Sequence, residues 1–114
     1  MLRILKKTIK TGIVTKKYPK EQDIAPVGFR GEPEIDSGLC TFCGDCGAAC
    51  PTGVIQFTTE DENREKILTL DYCGCIFCGR CEEVCTHDAI KLTQEYELAS
   101  KTKEDLITKF RRRT

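Results

Sequence analysis

Eleven residues that occur twice constrain this chain more than any other feature. Cys40-Thr41-Phe42-Cys43-Gly44-Asp45-Cys46-Gly47-Ala48-Ala49-Cys50 recurs thirty-five positions on as Cys75-Ile76-Phe77-Cys78-Gly79-Arg80-Cys81-Glu82-Glu83-Val84-Cys85. All four cysteines coincide, as do the phenylalanine and the first glycine. At the same offset, residues 54–57 match residues 89–92, a short alternating strand in each half. The chain therefore contains an internal repeat, each half a loop, a short helix and a strand. Residues 56–59 and 66–70 form a hairpin-like stretch around the polar turn 60–65.

Each copy carries the spacing C-x2-C-x2-C-x3-C, the ligand run of a [4Fe–4S] cluster in which the fourth cysteine serves the other cluster. Three thiolates two residues apart can wrap one face of a cubane in a tight loop. Gly44 and Gly79 stand where the backbone must bend close to the sulfurs. The fourth cysteine is expected to start a helix that points away and so to reach the neighbouring cluster. By this logic cluster I takes Cys40, Cys43, Cys46 and Cys85, and cluster II takes Cys75, Cys78, Cys81 and Cys50. The alternative of two zinc sites needs only two closely spaced pairs of ligands. All-thiolate ligation leaves no open iron position, and no Ser/His/Asp set or carboxylate pair stands out. The chain is expected to be non-catalytic on its own, its chemistry being electron transfer by the cofactor.

Composition agrees with a fold held by cofactors. Nine of 114 residues are Cys, none is Trp and one is Met. Such a chain is stabilised by something other than its apolar core. No apolar run approaches the roughly 18 residues of a membrane span. The opening residues interleave charge with apolar side chains, unlike an export signal. A reducing compartment is expected, where cysteine clusters bind metal rather than form disulfides.

The formal net charge is zero, but charge is segregated. Residues 1–20 carry seven bases and no acid, residues 21–98 sixteen acids and five bases, and residues 99–114 six bases and two acids. Basic ends favour anionic lipid or an acidic partner surface; the plain alternative is solvated tails. Nucleic acid is not expected, because no basic patch is interleaved with aromatics. Leu2, Leu5, Ile9 and Ile13 recur at helical spacing among lysines, which predicts an amphipathic N-terminal helix stopped by Pro19. Residues 21–36, with Pro26, Gly28, Gly31 and Pro33, read as an extended strap. Toward the end, Thr102 with Asp105 resembles a capping box. Leu106, Ile107 and Phe110 then give an apolar face, and a C-terminal helix is predicted.

Several single residues carry smaller expectations. Thr86 stands where Pro51 follows the first run. Cys73 is a ninth, spare cysteine whose counterpart is Gly38. His87 is the only histidine and reads as a loop residue. Asp45 and Arg80 occupy equivalent places, and their opposite charges should make the Arg80 side easier to reduce.

The cysteine core resembles the two-cluster ferredoxin family, and the flanks narrow the resemblance. Tyr18-Pro19, Phe29-Arg30-Gly31-x-Pro33, the run from Cys75 to Cys85, and Leu92-Thr93-Gln94-Glu95-Tyr96-Glu97-Leu98-Ala99 are similar to the ferredoxin-like subunit of energy-converting, membrane-bound [NiFe] hydrogenases and formate hydrogenlyase. That subunit is in turn similar to the two-cluster subunit of respiratory complex I. The resemblance implies an electron relay from a donor, often reduced ferredoxin, to the small subunit of a [NiFe] hydrogenase. It implies the hydrogenase large subunit and membrane subunits as further partners. It also implies a peripheral place on the cytoplasmic face of the membrane, within a multisubunit complex. The formate hydrogenlyase version continues into a further cysteine-bearing tail, so a ferredoxin- or carbon-monoxide-linked hydrogenase is the closer likeness. The equivalent subunit of a complex I-like quinone reductase and a free, diffusible ferredoxin are the competing readings; the latter needs neither the basic helix nor the strap.

The expected architecture is α+β: a two-cluster bacterial ferredoxin fold with a pseudo-twofold repeat, an N-terminal amphipathic helix and a C-terminal helical extension. The boundaries are 1–36 for the basic helix and strap, 37–92 for the ferredoxin domain and 93–114 for the extension.

Overall fold

Alternation of aliphatic and polar residues puts two small antiparallel sheets at the centre of the computed structural model, which describes residues 1–60 and 65–112. In the first sheet β1 (Pro33–Ile35) pairs with β4 (Ile90–Leu92), with Pro33 opposite Leu92 and Ile35 opposite Ile90. In the second, β3 (Glu65–Asp71) lies between β2 (Ile55–Glu60) and β5 (Ile107–Arg112). Leu68 is opposite Phe57 and Leu70 opposite Ile55. Thirty-five residues separate Pro33 from Leu68, Ile35 from Leu70, Ile55 from Ile90 and Phe57 from Leu92, so the repeat extends to the register of both sheets.

The core sits between the sheets. Leu68 and Leu70, from the central strand, are fully buried, with Ile35, Ile55, Ala89, Ile90 and Tyr72 around them. The Tyr72 hydroxyl donates to the Pro33 carbonyl at 2.9 Å and ties one half to the other. Cys40 and Cys46 belong to the same buried cluster, so the ligand loops are part of the core. Two short helices follow the loops: α2 (Asp45–Ala49) and α3 (Arg80–Glu83). They carry the third cysteine of each run. The fourth does not start a helix: Cys50 caps the C-terminal end of α2 in extended conformation, and Cys85 lies just past the end of α3. A single turn of helix is enough to reverse the chain here, so the fourth thiol stands at the helix exit, five residues before the next strand.

Three further expectations change. The N-terminal helix α1 forms over Leu2–Thr11 but stops well before Pro19. Gly12, at φ 63°, takes the positive-φ position after the helix and donates to the Thr8 carbonyl, leaving Ile13 outside. The strap ends in a strand, because residues 33–35 pair with β4. The predicted C-terminal helix is instead a 3-10 turn, Glu104–Leu106, leading into strand β5. The open edge of β3 decides this. Thr108 sits opposite Leu70 and Phe110 opposite Leu68, whereas an isolated helix this short is marginal in water. Asp105 does not cap a helix but accepts from the Ser100 hydroxyl at 2.7 Å. The polar turn expected at 60–65 falls mostly on residues outside those described.

Helix α1 projects from this body. None of its residues is buried, and the radius of gyration is 20.1 Å where a compact chain of this length would have about 13 Å. Between helix and sheets, the strap is fixed along residues 93–97. Gly31 and Glu32 donate to the carbonyls of Thr93 and Glu95, each at 2.9 Å. The Tyr96 hydroxyl donates to the Asp23 carbonyl and the Gln94 side chain to that of Ala25, each at 2.7 Å. The Phe29 and Tyr96 rings meet edge to face.

Candidate iron–sulfur centres

The two loops fold alike because the same backbone turns recur. Gly44 (φ 92°) and Gly79 (φ 81°) cap the N-termini of α2 and α3 from the left-handed region. Phe42 (φ 55°) and Phe77 (φ 53°) lie there too, an unfavourable conformation for a bulky side chain. Gly53 (φ 65°) and Asp88 (φ 51°) form a third such pair in the exit turns. The phenylalanines are the feature sequence reasoning missed. Their recurrence at equivalent positions was visible, but nothing about Phe signals positive φ.

Two recesses result. One is lined by Cys75, Cys78 and Cys81 from the second run and by Cys50 from the first. Pro51, Val54, Ile55, Leu70 and Leu92 supply its apolar walls. The other is lined by Cys40, Cys43 and Cys46 together with Cys85 from the second run. Phe57, Ala89 and Ile90 close it. Each recess thus gathers three thiols from one run and the fourth from the other. Cys73 is exposed and lines neither recess. His87 stands at the rim of the second, beside the Thr86 hydroxyl.

Among the described residues no three Cys, His, Asp or Glu side chains converge on a point that would hold a single ion. Thiols spread around an apolar hollow fit a cubane, which takes one thiolate per iron.

Hydrogen bonds to the sulfurs follow the repeat. The Ala89 N–H donates to Cys85 Sγ at 3.3 Å, and its counterpart Val54 donates to Cys50. Burial pushes the Cys50 thiol up, but the Thr52 hydroxyl and the N–H groups of Val54, Thr52 and Gly53 outweigh it and leave it below the ordinary thiol value. Burial dominates at Cys46 and Cys81, pushing both thiols up to about 11 despite backbone N–H donors at Gly47 and Glu82. Those two sulfurs are protonated at neutral pH without iron, so loading must release protons.

Fold and donor set point to a class: residues 39–89 match the family model of the 4Fe-4S dicluster domain. The cysteines fit two [4Fe–4S] clusters.

Similarity to particular proteins extends beyond the class. The chain is 44% identical over 60 residues to formate hydrogenlyase subunit 6 of Escherichia coli (strain K12), a match covering 53% of this chain and 33% of that protein. It is 42% identical over 53 residues to NADH-quinone oxidoreductase subunit I 2 of Anaeromyxobacter dehalogenans (strain 2CP-C), covering 42% of this chain and 20% of that one. The matches thus span a third or less of these relatives. A chain in the structure of the membrane-bound sulfane sulfur reductase, an archaeal respiratory membrane complex, superposes with a TM-score of 0.67 at 26% identity. That match covers 90% of this chain and 56% of the other. It therefore takes in most of the residues outside 39–89 as well.

Proposed function

We propose that this chain is an electron-transfer subunit of a membrane-bound respiratory complex of the hydrogenase or complex I-like kind. The observation that carries the reading is the pairing of two thiol-lined recesses in one small body with a helix and strap that a free carrier does not need. Cys40, Cys43, Cys46 and Cys85 would hold cluster I, and Cys75, Cys78, Cys81 and Cys50 cluster II. When bound, the clusters supply one-electron carriers between a donor and an acceptor elsewhere in the complex. The chain's own residues hold them, wall them from water and tune them. Ile55, Leu70, Ala89 and Ile90 exclude solvent, while the N–H groups of Val54 and Ala89 donate to sulfur, which raises potential.

The donor in this reading is reduced ferredoxin and the acceptor the small subunit of a [NiFe] hydrogenase, with the large subunit and membrane subunits as neighbours. Helix α1 supports a peripheral place at the cytoplasmic face of the membrane. Arg3, Lys6, Lys7 and Lys10 accompany exposed Leu2, Leu5 and Ile9, and no helix among the described residues is long and apolar enough to cross a membrane. These three apolar side chains suit a seat on a partner protein better than unaided lipid binding. The similarity to NADH-quinone oxidoreductase subunit I favours a second reading with the same architecture and a quinone reductase as the parent.

Affinity purification of the chain from its anaerobically grown host in mild detergent, with mass spectrometry of the partners, tests the proposal. Hydrogenase subunits with membrane subunits are expected. Quinone-reductase subunits would move the reading to its second form, and a chain that elutes alone would sink both.

A further inference from the structure

The two extensions each end on a ligand loop, and each brings an arginine. At the end of β5, Arg112 Nη1 donates to the Cys40 carbonyl at 2.9 Å. In the strap, Arg30 lies over the N-terminus of α3: a methyl group built on Gly79 would stand 3.8 Å from Arg30 Nε and 4.0 Å from its Cδ. Cys40 opens one cysteine run, and Gly79 sits between Cys78 and Cys81 of the other. The strap and the C-terminal strand, unrelated in sequence, deliver one guanidinium to each loop.

We infer that Arg112 and Arg30 are positioning residues that set the two cluster potentials separately, Arg112 acting on the cluster at Cys40–Cys43–Cys46 and Arg30 on that at Cys75–Cys78–Cys81. The inference rests on the ligation proposed above. A cluster gains negative charge on reduction, so a fixed positive charge nearby favours the reduced form and raises the potential. Guanidinium stays charged at any working pH, so the effect is permanent. The two sites differ in strength. Arg112 is held by a charge-assisted hydrogen bond to the backbone of a ligand, the stronger kind. Arg30 is exposed and shares its groove with Glu82 and Glu83, whose charges oppose it. Arg112 also faces a loop that contains Asp45, whereas Arg30 reinforces Arg80. The extensions thereby temper the difference that Asp45 and Arg80 alone would create: the cluster beside Asp45 gains the better-held cation.

The test is an EPR-monitored redox titration of the anaerobic full-length holoprotein, with iron and sulfide counted in each sample. Arg112→Gln keeps a donor for the Cys40 carbonyl but removes the charge. It is expected to lower the midpoint of one couple so that the oxidised-to-reduced ratio at a fixed potential rises by up to about tenfold, about 59 mV for one electron. Arg30→Gln is expected to lower the other couple by a smaller ratio, about threefold. Arg112→Lys and Arg30→Lys are expected to stay near the parent values. Unchanged midpoints in both glutamine variants overturn the inference, as do shifts of the same couple by both. Loss of a cluster that lysine does not rescue overturns it too, since that marks a purely structural role. A parent protein holding fewer than two clusters would instead sink the ligation proposal, which the iron count reveals separately.

Discussion

The Tyr18 hydroxyl donates to Glu97 Oε1 at 2.7 Å, joining two residues 79 positions apart. Gln22 donates to the other oxygen of the same carboxylate at 2.8 Å. The strap is therefore tied to the segment after β4 by side chains as well as backbone. This hydrogen bond, ahead of desolvation and the Glu97 charge, holds the Tyr18 phenol above its ordinary value of 10.0. A raised pKa means that the folded form binds the phenolic proton more tightly. The contact is then fully present below the ordinary value and is lost as pH rises through the higher folded one. In an absorbance titration of the phenols, Tyr18 and Tyr72, the latter pushed up to about 12 chiefly by burial, are both expected to ionise late, and Glu97→Gln should bring only Tyr18 earlier. An unchanged titration in the variant would show that the contact does not form in solution.

Backbone contact in the same zipper sets a stricter requirement at Gly31. A Cβ there would stand 2.2 Å from the Glu95 carbonyl oxygen and 2.5 Å from that of Thr93. Neither atom is the end of a flexible side chain, so the strap itself must move. Gly31→Ala is expected to cost about 1–3 kcal/mol, the usual range for overpacking. Its signature is local: faster amide exchange at residues 31, 32 and 93, with the cluster absorbance retained. Parent-like exchange at those amides would mean the strap is not seated as described.

How much of this could be read beforehand depends on how local the cause is. The cysteine runs, Gly44 and Gly79, the β2–β3 hairpin and helix α1 follow from short-range pattern, and all are present. The class of fold and the cofactor were legible for the same reason. Strand β5 was not, because Leu106, Ile107 and Phe110 suit a helix face as well as a strand, and only the open edge of β3 selects between them. The helix expected to begin at Cys50 failed on a count of turns: α2 is already finished there. Strand β1 and the strap's hydrogen bonds to 93–97 need partners some sixty residues away. Tyr18-Pro19, Phe29-Arg30-Gly31 and residues 92–99 stood out only as separate motifs. In the structure they form one zipper.

Because β5 covers the edge of β3, removing it should expose a hydrogen-bonding edge backed by Leu68 and Leu70. Edges of that kind pair with other chains. A chain truncated after Ser100 is expected to self-associate, seen by light scattering as dimers and larger species at concentrations where the full chain is monomeric. A monodisperse truncated protein would mean that β5 is dispensable as an edge cover.

The proposed crossed ligation makes the sharpest demand on Cys50. By chain order this cysteine belongs with Cys46, four residues earlier, but it lines the recess of Cys75, Cys78 and Cys81. The N–H groups of Thr52, Gly53 and Val54 surround its sulfur and favour the thiolate that iron needs. Cys50→Ser is therefore expected to damage the distant cluster and spare the near one. Iron content should fall toward half, and the surviving EPR signal should be the one that Cys85→Ser abolishes. Loss of the same signal in both variants would overturn the crossed assignment. Loss of both clusters in Cys50→Ser alone would show that this half of the fold cannot assemble without its thiol. The pair of variants separates these outcomes because the two cysteines are equivalent in the repeat, so a ligand exchange must appear in both and a folding defect need not.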